Sequence, residues 1–343
     1  MMDAIDLAAL RGLGLHSELL QHVYDHEACE ALAGGLTLMR VTEVQRDHVQ
    51  VADGQATGRA GLPTALQPVV GDWALVRQCE PAAGGWRLEV LLPPVNRLVR
   101  RTPTGALQPL VANVDTALLV MGLDADYNPA RLLRYLALVA AAGVAPVVVL
   151  TKADRYPQTV ASRLAAVRAL LPSGVAALAV DTRAAAARQA LAPWLGEGRT
   201  LVLLGSSGAG KSSLTNTVTG APWQATGPVR AGDDRGRHHT TVRTLRRCPG
   251  GACVIDTPGL RGLHLDGDAG QLDALFADVL ALASGCRFRD CAHHQEPGCA
   301  VRAAVAPERL ARYHKLLREL RQAELTPPER RRLYATRSRA GAA

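Results

Sequence analysis

The sequence predicts an α/β P-loop domain, preceded by a small β-barrel and followed by a helical zinc-binding domain. Three observations carry that expectation. A glycine-rich loop, Gly205–Ser213, joins an apolar run to a helical one. Before it, residues 36–98 break into short strand-like runs separated by turn signals. After it, three cysteines and a histidine cluster between Cys286 and Cys299, ahead of an arginine-rich helix.

Composition sets the bounds. At 343 residues there is room for two or three domains, and 48% hydrophobic content gives them cores to bury. Aromatics are only 3%, so those cores are aliphatic. The net charge of +8 favours a polyanionic partner. The start, Met1-Met2-Asp3-Ala4-Ile5-Asp6, lacks a signal-peptide pattern. Arg134, Gly143 and Pro146 interrupt the apolar stretch 132–150, which argues against a membrane span. Seven cysteines, three of them clustered, suit a reducing compartment and a metal better than a disulfide framework. The expectation is a soluble cytoplasmic monomer that engages no membrane.

In chain order, residues 1–35 read as a loosely structured extension with a short helix near Glu18–His22. Residues 36–100 read as the barrel. Leu36–Leu38, Val41–Val44 and Val49–Val51 are strand-like, and Asp53-Gly54, Gly71-Asp72 and Gly84-Gly85 are turns. Val69-Val70 and Trp73–Val76 resemble one hairpin. Five or so short strands suit an OB-fold, a common RNA surface, and an SH3-like barrel fits nearly as well. Trp73 and Trp86 are candidates for base stacking or for the core.

Residues 101–268 change rhythm. Strands at Asp115–Met121, Pro146–Leu150 and Val175–Val180 alternate with helices at Pro129–Ala142, Pro157–Leu171 and Arg183–Leu195. That alternation implies a doubly wound parallel sheet, with ligands at the strand C-terminal ends. Pro129 and Pro157 sit where a first helical turn tolerates proline. The strand Thr200–Leu204 then leads into the G-x-x-x-x-G-K-S pattern of a phosphate loop. Gly205, Ser206, Ser207, Gly208, Ala209, Gly210, Lys211, Ser212 and Ser213 are the candidate cradle. The glycines let backbone N–H groups point at a phosphate, Lys211 reaches the β/γ-phosphates, and Ser212 puts its hydroxyl on Mg²⁺.

Thr151-Lys152-Ala153-Asp154 directly follows a strand, as does the guanine-reading [N/T]-K-x-D of P-loop GTPases. Asp154 would accept from the base N1–H and N2–H₂, a donor pair adenine lacks, and the Lys152 stem would lie along the base. Asp256-Thr257-Pro258-Gly259 ends the strand Ala252–Ile255. There Asp256 holds Mg²⁺ through water and the Gly259 N–H meets the γ-phosphate. Between these lies a polar loop, Gly236–Thr241, where a threonine can complete the Mg²⁺ shell only when γ-phosphate is present. The base-reading motif precedes the P-loop and D-x-x-G comes last, so the GTPase domain is circularly permuted. Leu260 stands where many GTPases carry a Gln that orients the attacking water, so free hydrolysis should be slow. His238 and His239 are the nearest groups that could assist.

Residues 269–343 open with an Ala/Leu-rich helix, Gly270–Ala283. Cys286, Cys291 and Cys299, with His293 or His294, then make a compact Cys₃His set. Four soft ligands close a tetrahedron, so the zinc is structural. Pro307–Leu320 has helical periodicity, with Leu310, Tyr313, Leu317 and Leu320 on one face, and arginines continue to Arg339. A basic helix beside a zinc knuckle suits RNA phosphates.

Taken together, 36–325 resembles the bacterial small-ribosomal-subunit-dependent GTPase family (RsgA/YjeQ) in its motifs, GSSGAGKSS, DTPGL, G-R-H-x-T-T and C-x4-C-x-H-x5-C, and in their order. The resemblance implies an OB-fold barrel, a permuted GTPase domain and a zinc domain. It implies His293 as the zinc ligand and His238 as the loop histidine that helps hydrolysis. It leaves Thr240 and Thr241 both as Mg²⁺ candidates, because His239 stands where a third Thr is usual. Thr151 replaces the usual Asn, Val180-Asp181-Thr182 replaces the usual Ser-Ala loop, and Gly208 replaces an Asn linked to potassium. The function implied is GTP binding and hydrolysis on the small ribosomal subunit and its rRNA, release with GDP, and a late maturation role. A P-loop ATPase or kinase on a small substrate, or an RNA-binding protein with a structural nucleotide site, are the other classes the chain fits.

Overall fold

The computed structural model describes residues 6–79, 85–102, 106–220, 243–258, 270–273 and 275–324. Alternating burial builds its first unit. Strands β1 (Thr37–Val44), β2 (His48–Ala52), β3 (Thr57–Gly61), β4 (Trp73–Gln78) and β5 (Trp86–Leu91) pair in the order β1-β2-β3-β5-β4 and close through β1–β4. Met39, Val41, Val49, Val51, Ala60, Ala74, Val76 and Leu88 turn inward to one core. β3 and β5 run parallel and the other pairs antiparallel. This five-stranded closed barrel is of the OB type.

One expectation fails here for a local reason, and one alternative is decided. Val69-Val70 and Trp73–Val76 do not form a hairpin. Asp72 Oδ2 accepts the Val69 N–H at 2.8 Å and the Asp72 N–H returns to Val69 O, so the segment closes as a tight turn. Val70 makes only an isolated bridge to Val111. Trp73 is fully buried, so it belongs to the core and stacks no base, while Trp86 is half-buried with its indole against Gly58.

The stretch read as a loose extension with one short helix near Glu18–His22 folds into three helices, α1 (Leu7–Arg11), the expected one α2 (Ser17–Val23) and α3 (His26–Ala33). Leu10, Leu13, Leu15, Leu19 and Val23 are all buried. Of these, only Leu10 lies on α1, Leu19 and Val23 on α2 and none on α3, too few per helix to draw a period in the sequence.

A hairpin of β6 (Arg97–Arg101) and β7 (Leu107–Ala112) follows, straddling residue 100. The doubly wound unit then runs β8 (Thr116–Gly122), α4 (Pro129–Ala141), β9 (Ala145–Thr151), α5 (Pro157–Arg168), β10 (Ala176–Ala179), α6 (Ala185–Leu191), β11 (Thr200–Leu204), α7 (Lys211–Thr219), β12 (Thr244–Arg247) and β13 (Cys253–Asp256). The order is β10-β9-β8-β11-β13-β12, parallel except for β12. Period-two alternation splits the core by face. Leu201 and Leu203 pack with Leu214 and Val218 of α7, while Val202 and Leu204 pack on the face that holds α4. Helix α4 starts as its proline suggested, with the Asn128 side chain accepting the Arg131 N–H at 3.0 Å.

β12 also pairs with β1 through Glu43 and Thr244, so barrel and nucleotide sheet are continuous. A buried arginine reinforces the joint. Arg40, on β1, donates to Leu13 O, to Gly71 O (3.3 Å), to Thr200 Oγ1 (2.8 Å) and to Asn113 O (2.8 Å).

Helices α8 (Gly270–Asp273), α9 (Ala277–Ala283), α10 (Ala300–Ala304) and α11 (Pro307–Glu324) complete the described chain. The helix expected over Gly270–Ala283 is thus two pieces. Phe276 stands between them with extended φ (−125°), and its ring is buried edge-on against Tyr313. Leu310, Leu316 and Leu320 form the buried face of α11, with Tyr313 and Leu317 beside them. Among the described residues, no helix is long and apolar enough to cross a membrane.

Candidate functional site

The chain reverses its winding between adjacent strands β8 and β11, and ligand crevices of doubly wound sheets open at that point. The predicted motifs meet there. The loop after β11 uses left-handed backbone at Gly208 (φ +79°) and Gly210 (φ +96°). A Cβ at Gly205 would collide with the Val120 carbonyl oxygen of β8. Lys211, the first residue of α7, is buried, and its Nζ donates to Gly205 O (3.0 Å) and Ser206 O (2.7 Å). Burial pushes its ammonium down to about 8, with the charges of Asp256 and Asp126 pulling the other way.

The T-K-x-D residues grip this loop from β9. Thr151 is fully buried and donates through Oγ1 to Ala209 O at 2.6 Å. Lys152 takes a left-handed conformation (φ +64°), and its Nζ donates to Gly208 O (2.7 Å) and Asp124 Oδ2 (2.6 Å). A non-glycine residue in that region is strained, and here the strain aims the side chain along the loop. Asp154 is exposed one turn beyond. The Ala153 N–H bonds to Val180 O at 3.3 Å, bringing the Val180–Thr182 loop alongside, and Thr182 O accepts from Thr217 of α7 at 2.5 Å. Asp256, last residue of β13, is buried. Thr257 Oγ1 donates to Leu203 O at 2.6 Å, tying the D-x-x-G start to the P-loop strand.

Sequence reasoning passed over Asp124 and Asp126. Asp126 accepts from Ser206 Oγ, from Arg131 of α4 and from the Gly122 N–H (2.9 Å). The signal was available, because two carboxylates follow β8 directly at the switch point. His238, Thr240, Thr241, Gly259 and Leu260 lie outside the described residues, as does the arginine tail from 325 onward.

The second cluster is well separated in sequence. The ligand atoms of Cys286, Cys291, His293 and Cys299 all lie within 4.8 Å of one another. Sγ of Cys286 is 3.9 Å from Sγ of Cys299, and His293 Nδ1 is 3.6 Å and 3.4 Å from those two sulfurs. Tetrahedral zinc with ordinary bond lengths sets these separations at about 3.8 Å for S···S and about 3.6 Å for S···N. The Cys₃His set can therefore hold a metal ion. His293 is buried in left-handed backbone (φ +60°), while His294 points outward and stacks on His314 at 3.9 Å. The Glu296 carboxylate accepts the N–H groups of Ala292 (2.9 Å), His294 (2.8 Å) and Gln295 (3.0 Å), which folds the loop round the cluster.

A family model described as RsgA GTPase matches residues 92–266. A protein of Xylella fastidiosa (strain M12) named Small ribosomal subunit biogenesis GTPase RsgA is 46% identical over 288 residues, covering 82% of this chain and 84% of the relative. One of the same name from Xanthomonas oryzae pv. oryzae (strain MAFF 311018) is 47% identical over 302 residues, covering 83% and 81%. Among solved structures, YjeQ from Thermotoga maritima superposes with a TM-score of 0.62 at 23% identity, over 83% of this chain and 98% of that one. YloQ, described as a circularly permuted GTPase, gives 0.58 at 22% identity, over 84% and 96%. The structural likeness carries the fold, and the sequence matches carry the kinship: the chain belongs to the RsgA GTPase family.

Proposed function

We propose that this protein binds GTP at the β8–β11 crevice, hydrolyses it on the small ribosomal subunit, and acts there as a late maturation factor in the cytoplasm. The relatives' shared name supplies the subunit. The observation that carries the chemistry is the double grip of β9 on the P-loop, Thr151 to Ala209 O and Lys152 to Gly208 O. It makes phosphate cradle and base-reading strand one unit, with Asp154 to read the guanine edge. Lys211 faces the β/γ-phosphates, Ser212 and Thr240 or Thr241 hold Mg²⁺, and Asp256 orders its water shell. One zinc ion on Cys286, Cys291, His293 and Cys299 staples the C-terminal helices. The barrel and the basic helix α11 supply cationic surface for rRNA, and the chain works as a monomer.

The test is steady-state hydrolysis of GTP and ATP, with and without purified small subunits. Slow GTP turnover, raised by small but not large subunits, is expected. Equal use of ATP, or indifference to the subunit, refutes the reading. His238→Ala is expected to lower the stimulated rate while leaving GTP affinity unchanged.

A further inference from the structure

Phenylalanine is rare in this chain, with two in 343 residues, and the two are used oppositely. Phe276 is 1% exposed and meets Tyr313 edge-on in the core. Phe288 is 42% exposed, on the loop that runs from Cys286 to Cys291. Its ring takes no part in the core against which Cys286 and Cys291 pack. Only its backbone serves the loop, with Phe288 O accepting the Cys291 N–H at 3.3 Å, a bond any residue type could make. An exposed apolar residue alone says little, but the surroundings of this one say more. Arg287 and Arg289 flank it, both exposed. The Arg287 N–H bonds to Gly298 O at 3.1 Å, and a Cβ at Gly298 (φ +72°) would meet the Arg287 Cβ at 3.0 Å, so the stem of Arg287 lies on the far side of the loop. Its guanidinium is held over the Phe288 ring, 5.6 Å from the centroid. Arg309 pairs with Asp278 and Arg134 with Glu319, whereas no ion pair engages Arg287 or Arg289 among the described residues. The Glu296 carboxylate is committed to three backbone N–H groups, which leaves Asp290 as the only other acid between Cys286 and Cys299.

We propose that Phe288 is a stacking platform for one unpaired base of a single-stranded RNA segment, with Arg287 and Arg289 taking the phosphates on either side. An aromatic ring backed by a guanidinium accepts any base through its π-face, and the flanking cations track the backbone. The cysteines at both ends of the loop hold the platform ready before RNA arrives, so little ordering is left to oppose binding. An apolar protein surface is the poorer occupant, because covering Phe288 would draw two unpaired guanidiniums out of water with it. A duplex is poor as well, since its bases are already stacked on one another. The inference rests on the small-subunit reading for the source of the RNA.

The test titrates the full-length protein with purified small subunits, with a single-stranded oligoadenylate and with an RNA duplex of the same length. Phe288→Ala should weaken binding to subunits and to the single strand roughly five- to hundredfold, as the loss of one stacked base does. Phe288→Leu should lose nearly as much, and Phe288→Trp should bind at least as well as the parent. The duplex should not distinguish the variants. Across a salt series, Phe288→Leu should keep the parent's slope of log affinity against log salt, while Arg289→Gln lowers it by about 0.7, one single-strand phosphate. The variants should melt with the parent, as changes to exposed side chains do. Leucine serving as well as phenylalanine would point to an apolar protein contact and overturn the platform. Unchanged subunit affinity in Phe288→Ala, an unchanged slope in Arg289→Gln, or a loss that tracks a fall in melting temperature would overturn it too. If the parent fails to bind subunits, the small-subunit reading falls, and the oligoadenylate series decides the platform: a loss with Ala and Leu but not with Trp sustains it, and indifference to Phe288 removes it.

Discussion

Asp115 stands at the foot of the P-loop strand and gathers His16 (3.2 Å), Arg199 (3.1 Å) and the Thr200 N–H (2.7 Å). Burial works against its charge, but these partners together hold its carboxyl below the usual range. A carboxylate depressed in the fold adds stability that is complete above the unfolded value of about 3.9 and is lost as pH falls through the folded one. Asp115→Asn should therefore cost about 1–3 kcal/mol at pH 7, and the gap from the parent should close in acid. Urea unfolding at pH 7 and near pH 3.5 checks this. Neighbouring Arg40 acts with it. Its fully buried guanidinium binds the N-terminal segment, the barrel and β11 at one point. Nothing in the sequence marks Arg40 as different from any surface arginine, because its four acceptors come from segments distant in the chain.

At the scale of elements, what could be read was whatever repeats or caps locally. Pro129, the apolar runs of β8, β9 and β11, and the glycine pattern of the P-loop each announce themselves within ten residues. The left-handed turns at Lys152 and His293 did not, since neither residue type predicts such backbone. The Thr151 substitution gained its meaning only from the fold. Its hydroxyl is spent on the Ala209 carbonyl, not on the base. Thr151→Val should raise the GTP dissociation constant about five- to tenfold, the worth of one buried hydrogen bond, with little change in melting temperature. Thr151→Asn should stay near the parent. Fluorescent-nucleotide titration distinguishes the two.

Across the whole molecule, the C-terminal helices are anchored twice. The Cys₃His cluster closes their loop, and Arg134 of α4 makes a double hydrogen bond to Glu319 of α11 at 2.8 and 2.7 Å. With the proposed zinc bound, stripping it with a chelator should unfold residues 286–299 and loosen α11, while GTP affinity stays within about twofold of the parent. Hydrogen exchange with parallel nucleotide titration reads both. The motif order showed the permutation in the sequence, because each motif is short and contiguous. How the three parts join was not visible there. That information lies in single long-range contacts such as Glu43 to Thr244.

That last contact has a consequence for solubility. A four-residue strand such as β12 would be the open margin of the nucleotide sheet, with bare N–H and C=O groups inviting another chain. The barrel caps that margin, so it is also the guard against self-association. At the opposite margin, β10 is four residues long, too short to template much. A fragment starting after residue 95 should consequently express poorly and associate with rising concentration, even though every nucleotide-binding motif remains in it, and light scattering over a dilution series would show it.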